Sequence, residues 1–354
     1  MKMTKNTKQN ILFVFFLLVT ISITNFCKGQ TNSESIIELQ AGTKIVFVDV
    51  NEAQKLLAAK DEFIQSLAPF DRSIRLKTEK PVSQEEFINF VSKQAMEWTG
   101  SEIVRIEEVI ESAARKLEPF KLKFPRTILL IKTTGAEEGN AAYCRRNAII
   151  LPGNMIAPQS ISFRQGMAFM QNNNNANLEH IIIHELFHIY MIHNPELKEK
   201  FYGIINFKKC NIIELPRKLR EAEITVPELP KNEYYIELQY KGDVIDAIPV
   251  IMFPRYNLKN GNDFSRCLDE SKLLVIEKSD DRWIYKHEDN NEPILLNFND
   301  VPDYYKKTGA NTDYVIHPEE ILAENFVLLV QNSQPVKYKW VIEKMDELLQ
   351  SVSR

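Results

Sequence analysis

His184-Glu185-Leu186-Phe187-His188 is the stretch that decides how this chain is read. On an α-helix, positions four apart lie one turn above each other, so His184 and His188 present two imidazoles to a single ion. Imidazole is a preferred zinc ligand, and Glu185 stands where a carboxylate can take a proton from water. The flanks, Leu178 to Ile183 and Ile189 to Ile192, are largely apolar and predict a buried helix that ends at Asn194-Pro195. The residue before a proline avoids helical geometry. Upstream, Gln171 to Asn175 is polar and low in complexity, which predicts a loop with Asn177 as the helix N-cap. His180 lies one turn before His184, but three successive turns of a straight helix cannot all reach one ion at about 2 Å. A supporting role is expected for it.

A catalytic zinc commonly takes three protein ligands and keeps a fourth place open. The metzincin solution fails here: position 191 is Met where a glycine is needed, and His193 comes five positions past His188 instead of six. A later helix offers another solution. His317-Pro318-Glu319-Glu320-Ile321-Leu322-Ala323-Glu324 has proline and acids in a first-turn arrangement. Glu320 and Glu324 are four apart, so one can bind zinc while the other accepts the second N–H of a zinc histidine.

Taken together, His184-Glu185-x-x-His188 and Glu320-x-x-Ala323-Glu324-x-Phe326 resemble the gluzincin class of zinc metallopeptidases, including thermolysin-like and lethal-factor-like catalytic domains. That resemblance implies His184, His188 and Glu320 as ligands of Zn2+, Glu185 as general base and acid, and Glu324 as a partner behind a ligand. Members of the class also carry a Tyr or His that stabilises the oxyanion, for which Tyr314 and His317 are the candidates. The resemblance covers two short stretches, with a longer spacing between them than in those relatives.

Outward from the motif, the 354 residues exceed what one core needs. Lys2, Lys5 and Lys8 precede an apolar run from Ile11 to Ile23, and Cys27-Lys28-Gly29 offers small residues for cleavage, the pattern of a secretory signal peptide. The run is shorter than the roughly 20 residues a membrane-spanning helix needs. A secreted or periplasmic protein with no integral span after cleavage is expected, with lipid anchoring through Cys27 the lesser alternative. Removing Lys2, Lys5, Lys8 and Lys28 takes the formal charge from −4 to −8, so no nucleic-acid footprint is expected. Cys144, Cys210 and Cys267 allow at most one internal bridge, with Cys210–Cys267 preferred.

The expected fold class is α+β: a gluzincin-like metallopeptidase core with a helical N-terminal lobe and a β-rich insertion between the zinc-ligand helices. The boundaries are a signal peptide at 1–29, a linker at 30–42, the N-terminal lobe with the active-site helix at 43–205, the insertion at 206–300 and a helical C-terminal part at 301–354. Within the lobe, a strand from Thr43 to Val50 precedes a helix over 51–67, a turn at Ala68 to Arg72, and helices opened by Ser83 and Ser101. Strands are expected at Thr127 to Ile131 and within Ala141 to Pro152, the latter as the edge that holds an extended substrate. Arg145 or Arg146 is a candidate partner for a substrate carboxylate. The partner expected on these grounds is a peptide or protein substrate. The alternatives are a zinc hydrolase of another amide or ester, and a surface binding protein whose metal site is structural or vestigial.

Overall fold

Period-two alternation along neighbouring strands sorts apolar side chains onto two faces of one sheet. The computed structural model describes residues 36–40, 42–156, 167–228, 231–252, 270–333 and 335–352, giving only the backbone for 167–174. The first sheet has the order β1-β2-β3-β5-β4, from β1 (Ile36–Gln40), β2 (Thr43–Phe47), β3 (Thr127–Thr133), β4 (Tyr143–Arg145) and β5 (Ala148–Pro152). Its middle strands run parallel and both edges antiparallel. Ile128, Leu130, Ile149 and Leu151 join the larger core with Ile106, Ile110 and Ala113 of α5 (Gly100–Leu117). Ile131, Ala148 and Ile150 point the other way, into a core shared with α1 (Val50–Leu57), α2 (Glu62–Ser66) and α4 (Gln84–Ser92).

Local signals set most helix starts. Ser83 with Glu86 forms a capping box, as its spacing predicts, and a second box, Thr99 with Glu102, opens α5 ahead of Ser101. Two expectations are corrected. The stretch over 51–67 is broken into α1 and α2, because Asp61 caps the second. Ala68 to Arg72 is not a turn but the start of α3 (Pro69–Arg75), where Pro69 fills the first turn without losing a needed donor.

The short α6 (Gly153–Ile156) precedes the long α7 (Met167–His193), which packs against α8 (Pro195–Ile204). The second sheet follows: β6 (Phe207–Lys209), β7 (Tyr234–Tyr240), β8 (Asp243–Val250), β9 (Lys272–Ser279), β10 (Arg282–Tyr285) and β11 (Leu295–Leu296), with α9 (Arg217–Arg220) between β6 and β7. It is antiparallel in the order β10-β9-β8-β7-β6, with β11 on β9. Ile236, Leu238, Ala247 and Val275 on its inner face join the same core as α7, so this sheet and the helices share one hydrophobic interior. The chain closes with α10 (Pro302–Thr308), α11 (Pro318–Val330) and α12 (Lys339–Val352). The architecture mixes helix and strand as an α+β chain. No helix of the described residues is long and apolar enough to cross a membrane. Cys144 and Cys210 are free thiols; Cys267, Cys27 and the signal-peptide stretch at 1–29 lie outside the described residues.

Candidate metal centre

From its middle onward α7 is buried on nearly all sides: Ile182, Ile183, Leu186, Phe187 and Ile189 have no exposed surface. The ring of Phe187 packs on Phe326 of α11 at 5.1 Å and on Phe201 of α8 at 5.7 Å. Truncating such a ring costs about 3–5 kcal/mol, so these contacts fix the rotation of α7 against α11. The polar run Gln171 to Asn175 is part of this helix, not a loop. Asparagine is at most about 0.7 kcal/mol per residue worse than alanine in a helix, little enough for a well-packed helix to extend through it.

That rotation brings the predicted residues of the two helices together. His184 Nε2 lies 3.1 Å from Glu320 Oε2 and 3.0 Å from His188 Nε2, while His188 Nε2 is 3.6 Å from Glu320 Oε1. Ligand atoms of His184, His188 and Glu320 all fall within 4.8 Å of one another. On the far side of the His184 ring, Nδ1 lies 3.0 Å from Glu324 Oε1, which is also 3.0 Å from His180 Nε2. His180, His184 and Glu324 form a second convergent group, but there Glu324 sits between two ring nitrogens as an acceptor for both. Glu320 therefore stands with the facing ring nitrogens of His184 and His188, and Glu324 behind the His184 ring.

Electrostatics agree with the geometry. Burial works against charge on every member, yet the histidines hold the Glu320 carboxyl far below the usual range. Glu324, pulled by hydrogen bonds from His180 and His184 against its burial, sits at about 2. The His184 ring is disfavoured as a cation by burial, but Glu320 and Glu324 outweigh this and raise it to about 9. His188 is raised as well, chiefly by Glu320 against burial. Its Nδ1 is buried and has no hydrogen-bond partner. Two imidazole nitrogens and a carboxylate oxygen that converge in this way are a donor set that a borderline divalent ion such as zinc suits.

Glu185 is 4% exposed and accepts a hydrogen bond from the Cys144 thiol at 3.0 Å. Burial pushes its carboxyl up, against the pull of His188 and His184. It lines a cavity of about 380 Å³ together with His184, His188, Glu320, Tyr314 and Tyr143. Carboxylate Glu320 and burial hold the Tyr314 hydroxyl well above its ordinary range, so it remains a donor. The structure places His317 elsewhere. Its Nδ1 accepts the Glu319 N–H at 3.2 Å as the N-cap of α11, it does not line this cavity, and burial lowers the ring to about 4.

Four further residues separate tertiary structure from sequence. Arg145 does not face a substrate site: it is buried against Asp61 and the carbonyls of Leu57 and Ala59. Arg146 sits in the β4–β5 turn at a φ of 55°. Glu319 was not singled out by spacing, yet its Oε1 lies 3.8 Å from His188 Nδ1 while Tyr202 donates to its Oε2 at 2.6 Å. Adjacent helix positions point about 100° apart, a geometry in which only burial of the whole helix turns both Glu319 and Glu320 inward. Glu228 also reaches the cavity, from a segment no pattern marks. No family model, curated protein or solved structure matches this chain.

Proposed function

We propose that the chain is a zinc-dependent peptidase of the gluzincin type, acting outside the cytoplasm on peptide or protein substrates. The observation that carries this reading is the convergence of His184, His188 and Glu320 on one point at the wall of a cavity, with Glu185 beside them and Glu324 behind. His184 Nε2, His188 Nε2 and a Glu320 oxygen would hold the ion. When bound, zinc supplies Lewis acidity, which acidifies water and polarises a carbonyl.

The chain's own groups do the rest. Glu185, whose carboxyl is raised by burial, takes a proton from the attacking water at its carboxylate and returns it to the leaving amine. Tyr314, kept protonated by its acidic neighbours, donates its hydroxyl where negative charge develops on the carbonyl oxygen. β4 is an edge strand of the first sheet, the kind of position against which an extended substrate lies. A buried acid with no structural ion pair is costly to keep, which favours a catalytic over a purely structural metal site.

The deciding experiment measures zinc per chain in the wild type and in Glu320→Ala after dialysis against a weak chelator, then cleavage of a mixed peptide library. About one zinc, lost in the variant, with cleavage by the wild type is the expected result. Equal zinc in both removes Glu320 as a ligand, and a zinc-loaded protein that cleaves no peptide removes the peptidase reading.

A further inference from the structure

Residues 224–228 run from the second sheet across the cavity and are gripped by α3. Thr225 N–H donates to Asp71 Oδ2 at 3.0 Å, and its carbonyl accepts from Arg75 Nη2 at 2.8 Å. This places Glu228 against β4, where its Oε1 accepts the Cys144 N–H at 2.6 Å. Cys144 is opposite Ile149, between the Tyr143–Ile150 and Arg145–Ala148 pairs. Its N–H is therefore the donor that an added strand would use, and Glu228 has taken it. An extended substrate lying on this edge stops pairing here, and what reaches Glu228 is a group of the substrate itself.

Charge says what that group is. Among the described residues lining the cavity, the carboxylates are Glu138, Glu185, Glu228 and Glu320, and the groups able to carry positive charge are Arg75, His184 and His188. Arg75 is engaged by Glu138 through two bonds, at 2.7 and 3.0 Å, and by Asp71. Once His184 and His188 are neutral, as metal ligands must be, Glu185, Glu228 and Glu320 have no cationic side chain among them. A divalent ion offsets two of those three charges. Cys144 also ties the remaining pair together, since its thiol is on Glu185 at 3.0 Å while its amide is on Glu228. Burial, with Glu185 and Glu320, pushes the Glu228 carboxyl up to about 8 against the pull of His188.

We infer that Glu228 is a specificity residue of the proposed peptidase, receiving a monocationic group next to the scissile bond: an α-ammonium terminus or a lysine or arginine side chain. The inference rests on the peptidase reading. Its test uses ligands that anchor on the metal and need no turnover. Norleucine hydroxamate carries only the α-ammonium, Nα-acetyl-lysine hydroxamate only the side-chain cation, and Nα-acetyl-norleucine hydroxamate neither.

Calorimetric titration of the zinc-loaded protein at pH 7 should show one of the two cationic compounds binding roughly 10- to 100-fold tighter than the neutral one. Which of them does so identifies the source of the charge. Glu228→Gln keeps an acceptor for the Cys144 N–H and should erase the preference. Equal binding of all three compounds to the wild type overturns the inference, and that comparison needs no variant. A preference that survives in Glu228→Gln overturns it too, as does absence of binding by all three to protein that carries zinc. The peptidase reading is judged separately, by cleavage of the peptide library.

Discussion

His188 Nδ1 faces Glu319 Oε1 at 3.8 Å, too far for a hydrogen bond, and has no other partner. The other Glu319 oxygen is held by the Tyr202 hydroxyl at 2.6 Å. Burial opposes ionisation of Glu319, but His188, Lys198 and Tyr202 keep its carboxyl below the ordinary range. When a metal takes the Nε2 of His188, Nδ1 becomes a committed donor, and Glu319 is the acceptor within a small shift. Glu319→Ala is therefore expected to weaken zinc binding by about 10- to 100-fold, like Glu324→Ala behind His184. Chelator competition measures this. An affinity equal to wild type would leave Glu319 as a helix-start acid and no more.

Glu185→Gln preserves shape and removes the base. The variant should still carry about one zinc per chain, while turnover falls by roughly 100- to 10,000-fold. A turnover number matching wild type would take Glu185 out of the mechanism.

Protons and metal compete for the same rings. In the apo protein His184 holds its proton up to about 9, because its hydrogen bonds to Glu320 and Glu324 outweigh burial. Zinc must displace that proton, so apparent affinity should climb as pH rises toward about 9, and loading at pH 7 should release protons. Titration calorimetry in two buffers of different ionisation enthalpy reads the release directly. Identical apparent enthalpies in both buffers would contradict a protonated His184 in the apo protein.

Glu137 gives a stability signature remote from the metal. Its side chain is fully buried, one oxygen lacks a partner, and burial followed by Glu138 raises the carboxyl from 4.5 to about 7. A folded-state value above the unfolded one means that the favourable contribution is complete below 4.5 and is lost as pH rises through about 7. The loss is on the order of 3 kcal/mol by pH 8, and Glu137→Gln should remove most of it. Urea midpoints at pH 4 and pH 8 provide the check. A variant with the same pH slope as wild type would place the slope on another group.

The readings that survived folding were those resting on contacts within one helical turn. Ser83 and Glu86, His184 and His188, and Glu320 and Glu324 each lie within four positions, so helix geometry alone fixes their relation. The apolar runs at Thr127 to Ile131 and within Ala141 to Pro152 likewise marked strands. The errors came where a weak local preference met strong tertiary packing. Ala68 to Arg72 looks like a turn, yet Asp71 and Arg75 are needed on one helix face to grip Thr225. Arg145 reads as a candidate partner for a substrate carboxylate, yet Asp61 and two carbonyls absorb its charge inside.

By itself, then, the sequence determined the chemistry at hand: two imidazoles and a carboxylate at helical spacing, and a second pair of acids one turn apart on another helix. Only tertiary structure decided which acid faces which ring, that Tyr314 and not His317 lines the cavity, and that Glu228 reaches Cys144 across 84 positions of chain. The physical reason is range. Backbone periodicity propagates over a turn or two, whereas burial and charge pairing are set by whatever the whole fold brings alongside, and no local pattern encodes that neighbour.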